Sequence, residues 1–353
     1  MRIGIVGAGN IAVPYARTIV AADELELVAV ADAIEGRADE LVAEFGGVAH
    51  ASVGALLADE TVDAVVNLTA AAAHAEVTAA ALEAGKHVHS EKPLALSYAD
   101  AKALLELAEA RGLGLSASPA TLLGEAQQTM WKLVREGALG TVRVAYAEAN
   151  WGKIESWHPS PLTLYAVGAM GDVGVYPIAI LTAMFGPARR VTAFATTLVP
   201  DRVDKFGGSF TIERPDFEIA VLELESGVVA RLTASFYVGP GYQRGLELHG
   251  DAGILHLSTW GEFDSTILVS TSGNGDDYAP VEPVRAAYHG IDWSRALVDL
   301  AAAVDEGRPP RASGAHAAHV VEILDAIGVS SREGGAVEVH SSFPQPEPLE
   351  WAR

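Results

Sequence analysis

Ile3, Ile5 and Val6 open the chain as an apolar run without alternation, the pattern of a strand buried on both faces. Similar runs recur at residues 25–31 and 62–68 (VDAVVNL), and further strands are read at 86–90 (KHVHS) and 113–117. Between them the apolar positions take helical spacing: after residue 12, over 34–45, briefly at 56–57, over the alanine-rich 70–84, and over 97–111. Gly85 and Gly112 stand where the last two helices should stop, and Ser97 where the last should start. Strands alternating with helices in this way predict a parallel, doubly wound sheet, whose ligands lie beyond the carboxyl ends of its strands.

The pattern changes near Ser118-Pro119. Helical spacing over 123–136 and 164–185 brackets an alternating, half-exposed strand at 142–151. Strand-like segments follow at 191–198, 217–224, 228–237, 245–248, 253–257 and 266–269, with tight turns at Glu225-Ser226-Gly227 and Gly250-Asp251-Ala252-Gly253. Two helices, 293–306 and 315–331, precede an extended, proline-containing tail over 343–353. The expected architecture is an α/β Rossmann domain over residues 1–119 and an α+β substrate-binding and oligomerisation domain over 120–353. The second should carry a large, mostly antiparallel open sheet. One face of that sheet is solvated or faces another copy of the chain, which predicts a homodimer or homotetramer.

Composition narrows the partners. The 353 residues hold 46 acidic against 24 basic side chains, a net charge of −22 that argues against nucleic acid or an anionic membrane. With no cysteine, disulfide, thiolate and cysteine–metal chemistry are excluded. His316 and His319 share a helix face without an acid of obvious purpose, no other histidine has metal spacing, and no metal is expected. The longest apolar region, 162–185, is interrupted by Asp172 and Pro177 and reads as a buried helix, not a membrane span. The chain enters a strand at once, without a charged n-region, apolar h-region or cleavage site, so a cytoplasmic protein is expected.

Candidate chemistry collects at the strand ends. Gly7-Ala8-Gly9-Asn10-Ile11-Ala12 is a G-x-G-x-x-A turn. Gly7 permits the tight turn, Gly9 lets a pyrophosphate approach the backbone, and Ala12 is the small residue where helix meets strand. The helix-start amides around Asn10 and Ile11 then hold the phosphates without a basic side chain. Asp32 ends the second strand, 23 residues past Gly9, where a ribose-binding carboxylate belongs. Ala33-Ile34 follow it, with no arginine until Arg37, which favours NAD over NADP. Thr69 ends the third strand, and Glu91-Lys92-Pro93 follow the fourth. Asp172 is a carboxylate in an apolar stretch, costly unless paired, and Tyr176 would share its face on a continuous helix.

These pieces, with Gly171-Asp172-Val173-Gly174-Val175-Tyr176, resemble the glucose–fructose oxidoreductase/inositol dehydrogenase (Gfo/Idh/MocA) family, in the right order from Met1 to about Ser331. The resemblance implies hydride transfer between NAD, or NADP, and a sugar or polyol hydroxyl, at an aldose C1 or a ring secondary alcohol. It implies Lys92 as the catalytic lysine and Tyr176 as acid/base, where many relatives have histidine. Asp172 would orient the substrate hydroxyl or the lysine. The plainer readings are a solvated loop lysine, a core tyrosine and, compatibly with catalysis, an N-cap aspartate. Thr69 and Glu91 accompany the cofactor. His74 closes the family's T-P-x-x-x-H, here Thr69-Ala70-Ala71-Ala72-Ala73-His74; with the proline missing, it is a cofactor-loop or helix-capping residue. Trp151, Lys153, Trp157, His158 and Tyr165 form either an aromatic face for a sugar ring or a loop packed on the sheet. His289 is a further substrate candidate. Two other classes stay open: an NAD-dependent glycoside hydrolase of the same fold, and a catalytically silent sugar- or NAD-sensing regulator. Retention of Lys92, Asp172 and Tyr176 together argues against the regulator.

Overall fold

A computed structural model describes residues 1–272 and 274–353. The chain forms two compact units, Met1–Ala120 with Asp292–Val321, and Thr121–Ile291 with Glu322–Arg353.

The first unit is a six-stranded parallel sheet of β1 (Arg2–Val6), β2 (Glu26–Ala31), β3 (Val48–His50), β4 (Ala64–Asn67), β5 (His87–Ser90) and β6 (Leu115–Ala117), in the order β3-β2-β1-β4-β5-β6. Its helices are α1 (Ala12–Ile19), α2 (Arg37–Phe45), α3 (Val53–Leu57), α4 (His74–Glu83) and α5 (Tyr98–Arg111). Two apolar clusters cover the sheet. In one, Ile3, Ile5, Val30 and Val66 pack with α1 and α2; in the other, Ala29, Val65, Val88 and Leu115 pack with α3, α4 and α5. The central strands β1 and β4 are almost wholly apolar and buried on both sides because each side meets helices. The order reverses at β1 and β4, so the ligand crevice lies past their carboxyl ends.

The helix Arg295–Glu306, expected with the second domain, belongs to this first unit. Its Leu297 and Ala301 join the cluster of Ile3 and Ile5, and Leu300 is fully buried. That burial draws the chain back after residue 291, so the residues beyond 119 do not form one unit.

The second unit has helix α6 (Glu125–Arg135), strand β7 (Val142–Asn150), helices α7 (Pro161–Tyr165) and α8 (Val175–Phe185), and strands β8 (Ala188–Thr196), β9 (Asp201–Val203), β10 (Ser209–Thr211), β11 (Phe217–Leu224), β12 (Val229–Ser235), β13 (Gly245–Gly250), β14 (Gly253–Leu257), β15 (Ile267–Ser270), β16 (Ala279–Val281) and β17 (Val337–Glu338). Nine of them form one sheet, β16-β15-β14-β13-β7-β12-β11-β8-β17, antiparallel except for the parallel pair β7–β12; β9 and β10 form a separate hairpin. The apolar stretch 164–185 is not one helix. Gly168 turns with φ 85° after α7, and a π turn, Met170–Gly174, leads into α8. The wide turn precedes Pro177, whose ring would crowd an ordinary α-helical backbone. No helix among the described residues is long and apolar enough to cross a membrane.

Candidate functional site

In the first unit, Gly7 turns out of β1 with φ 98°, and a Cβ there would lie 2.7 Å from the Leu68 carbonyl carbon and oxygen. The close approach of two strand ends therefore requires glycine. At Gly9 a Cβ would meet nothing within 4 Å. That open space lies before α1, whose start has no side-chain cap and no acidic residue in its first turn. Asn10 is exposed and Ile11 half-buried, so the first-turn amides are reachable. Asp32 holds the turn from the next strand: Oδ2 accepts the Ala8 amide at 2.6 Å and Oδ1 the Ile34 amide at 2.7 Å. An uncapped helix start, an open glycine and a carboxylate at the end of β2 fit a dinucleotide's pyrophosphate and ribose.

At the end of β4, Asn67 Oδ1 accepts the Thr69 hydroxyl at 2.7 Å, while its Nδ2 donates to the His74 carbonyl at 3.0 Å and Thr78 Oγ1 at 3.1 Å. His74 is buried, with Nδ1 2.7 Å from the Pro93 carbonyl and Nε2 3.0 Å from that of Thr69. It links the loop after β4 to the loop after β5 rather than facing open space. Past β5, Glu91 is buried: Oε1 accepts the Tyr15 hydroxyl at 2.7 Å and Oε2 the Lys92 amide at 3.0 Å. Its carboxylate thus fastens the backbone of Lys92, which is half-buried and precedes a cis bond to Pro93. Behind it, Ser118 Oγ lies 2.9 Å from the Tyr15 hydroxyl, and His89 Nδ1 lies 2.8 Å from Ser116 Oγ. Burial pushes His89 down to about 4, against the pull of Glu91. Asn67, Tyr15 and His89 belong to no motif; their trace in the sequence is a polar residue inside a strand or on a buried helix face.

In the second unit, Asp172 is 7% exposed within the π turn. A Cβ on Gly174 would collide with Met170 Sδ, so the glycine leaves room for the methionine side chain within the turn. Tyr176 is half-buried, its ring 4.8 Å from that of Trp260, which is anchored by Nε1 donating to the Glu148 carbonyl at 3.1 Å. The loop after β7 is tied at its root by Trp151 N donating to the Ser235 carbonyl at 2.9 Å. Trp151 and Trp157 meet edge to face at 5.5 Å, as do Trp157 and His158. Both indoles are half exposed, and Lys153 Nζ stands 5.4 Å from the Tyr237 ring centre. His158 Nδ1 accepts the Ser160 amide at 3.0 Å, which leaves the proton on Nε2 in the neutral ring. Burial holds His158 below its ordinary value, opposed by the charge of Asp172. Trp151, Trp157 and His158 are thereby brought to one region.

Two candidates lie elsewhere. Tyr165 is 2% exposed and its hydroxyl donates to Glu155 Oε2 at 2.6 Å, so it supports the loop from below. His289 is a solvated side chain paired with Asp264 at 2.6 Å, a hydrogen bond that raises it above its ordinary value. Among the described residues, no group of three or more metal-ligating side chains is placed to hold an ion.

The profile for an oxidoreductase family with an NAD-binding Rossmann fold (GFO_IDH_MocA) matches residues 1–118, and that of the GFO/IDH/MocA C-terminal domain matches residues 127–256. Over 258 residues, 73% of this chain and 72% of the relative, the sequence is 33% identical to dTDP-3,4-didehydro-2,6-dideoxy-alpha-D-glucose 3-reductase of Streptomyces violaceoruber. Over 325 residues, 89% of this chain and 91% of the relative, it is 26% identical to myo-inositol 2-dehydrogenase of Thermotoga maritima. The fold matches the crystal structure of aldose-aldose oxidoreductase from Caulobacter crescentus with TM-score 0.83 and 22% identity, covering 96% of this chain and 99% of that one.

Proposed function

This chain belongs to the GFO/IDH/MocA family of oxidoreductases with an NAD-binding Rossmann domain, and from that premise we propose that it is a dehydrogenase or reductase of a sugar or polyol hydroxyl, an aldose C1 or a ring secondary alcohol. The observation that carries the reading is the placement of Lys92 at the carboxyl end of β5, its amide fastened by Glu91, on the sheet edge that holds Gly9 and Asp32. NAD is favoured over NADP because the Asp32 carboxylate at the end of β2 suits a ribose hydroxyl and repels a phosphate. Bound nicotinamide supplies the hydride acceptor or donor. The Lys92 ammonium stabilises the developing alkoxide, and Tyr176 exchanges the hydroxyl proton. Asp172 orients the reacting hydroxyl, while Trp157 and His158 contact the ring. The relatives' names, a deoxysugar reductase and a cyclitol dehydrogenase, support a carbohydrate-ring alcohol and leave the individual sugar open.

The partner in solution is another copy of the chain. The open face of the nine-stranded sheet carries Phe194, Tyr146 and Val229, 58%, 38% and 41% exposed, interleaved with the pairs Arg231–Glu148 and Arg190–Glu223, a mixed apolar and charged surface suited to a homodimer or homotetramer. Light scattering on the purified protein tests this, and a monomer would exclude it.

The activity test follows NAD(P)H absorbance with NAD or NADP and a panel of aldoses and cyclitols. Lys92→Ala should abolish turnover and leave NAD affinity within about twofold. Silence of the parent protein across the panel, with NAD still bound, would refute the dehydrogenase and leave the glycoside hydrolase or the regulator; release of nitrophenol from a nitrophenyl glycoside separates those two.

A further inference from the structure

The β9–β10 hairpin has no part in the reading above, yet it carries a buried arginine. Arg202 is 4% exposed; its Nε donates to the Val199 carbonyl at 2.8 Å, its Nη1 to Glu155 Oε1 at 2.8 Å, and its Nη2 to Asp216 Oδ2. The partners are equally committed. Glu155 Oε2 accepts the Tyr165 hydroxyl at 2.6 Å, and Asp216 Oδ1 accepts the Leu198 amide at 2.7 Å. Burial pushes Glu155 up, but the hydrogen bonds from Tyr165 and Arg202 outweigh it and hold the carboxyl below its ordinary value. The hairpin turn adds Lys205, whose amide donates to the Glu155 carbonyl at 3.0 Å and whose Nζ donates to the Trp157 carbonyl at 2.9 Å.

These contacts converge on residues 155–157, immediately before His158. A guanidinium buried between two carboxylates stabilises little more than apolar residues of the same volume, because desolvation consumes most of the attraction. What it does supply is direction: a planar fork with fixed donor angles that a lysine cannot reproduce. We infer that Arg202 is a positioning residue, and that its hairpin is a brace fixing Trp157 and His158 against the substrate ring. The inference rests on the proposed contact of those two side chains with substrate.

The test compares Arg202→Lys and Lys205→Met with the parent by hydrogen–deuterium exchange over residues 153–160 and by kinetics with NAD and D-xylose or myo-inositol. Lys205→Met removes a surface anchor only, so it reports even where the arginine variant folds poorly. Trp157→Ala is the control for substrate contact. Exchange over 153–160 should quicken in both brace variants, most in Arg202→Lys. The variant's KM should rise on the order of tenfold with kcat much less changed and NAD affinity unaltered. Parental exchange in both variants overturns the brace. Faster exchange with an unchanged KM, while Trp157→Ala raises KM, overturns the positioning role. If Trp157→Ala leaves KM unchanged, the reading of the loop as a substrate contact fails, and with it the positioning role; exchange then decides only whether the hairpin holds the loop.

Discussion

Glu218, on β11, accepts the Met170 amide at 2.7 Å at the head of the turn that carries Asp172. Burial pushes its carboxyl from 4.5 up to about 7, against the opposing effects of the amide and of Arg214. The folded protein therefore keeps a proton that the unfolded chain releases. Stability from this group is fully present below pH 4.5 and is lost as pH rises through about 7. The full move corresponds to about 3 kcal/mol. The side chain is partly exposed, so water screens part of it and about 1 to 2 kcal/mol is the expected size. Glu218→Gln carries no charge at any pH and keeps a carbonyl oxygen for the Met170 amide. The variant should be more stable than the parent above about pH 7 by that amount, the two converging toward the acid end. Urea unfolding of both proteins across this range measures the difference, which is the informative quantity because two buried histidines titrate with the opposite sign nearby. Parallel curves, or a variant less stable at high pH, would show an ionised carboxylate well served by its amide partner and would refute the reasoning.

Other perturbations read different parts of the structure. Tyr15→Phe removes a donor from the buried Glu91 carboxylate and should cost about 2 kcal/mol in urea unfolding; a loss below about 0.5 kcal/mol would mean that water replaces the hydroxyl. Gly7→Ala, with φ 98° and the Leu68 carbonyl in the way, should destabilise by about 3 kcal/mol or more. Gly9→Ala, facing open space, should unfold like the parent yet bind NAD at least about tenfold more weakly, and equal NAD affinity by calorimetry would remove the pyrophosphate from that turn. Burial depresses His89 to about 4 and His316 to about 3 from 6.5, so the unfolded chain takes up protons first as pH falls. Their stability is fully present above pH 6.5 and declines below it, on the order of 3 kcal/mol each by about pH 4. A melting temperature that holds steady from neutral pH down to about 4 would contradict this.

Strands β1, β2 and β4 are legible as apolar runs, each ending at a residue that breaks it, and β5 by its place between two helical segments; the ends of the four carry the glycine turn, Asp32, Thr69 and Lys92. Strands β3, β9, β10 and β16 are three residues each, too short for alternation to register. Helical spacing runs straight through 164–185 because a π turn keeps the apolar content of a helix; Gly168, Gly171 and Gly174 are the local sign of the break. The motif places Glu91 beside Lys92, and what the motif does not carry is the span of its carboxylate from Tyr15 to the Lys92 amide.

The residues that stayed illegible share a physical reason. Glu91 and Tyr15 are 76 positions apart, Glu155 and Arg202 are 47, and Trp157 and Lys205 are 48. Contacts at such separations have no period, and each partner taken singly matches a residue of no consequence. Arg202 in an acidic, turn-rich segment has the local pattern of a solvated arginine, and only burial between Glu155 and Asp216 distinguishes it. Tyr165 shows the converse: its aromatic neighbours suggested a ring-binding face, but its hydroxyl is committed to Glu155 and its own ring is buried. Local pattern therefore locates the side chains that end strands and can meet a ligand, because a strand end is a local event. The side chains that hold them in place are fixed by tertiary pairing, and it is there that the proposed difference between a loosely and a firmly held Trp157–His158 loop must be sought.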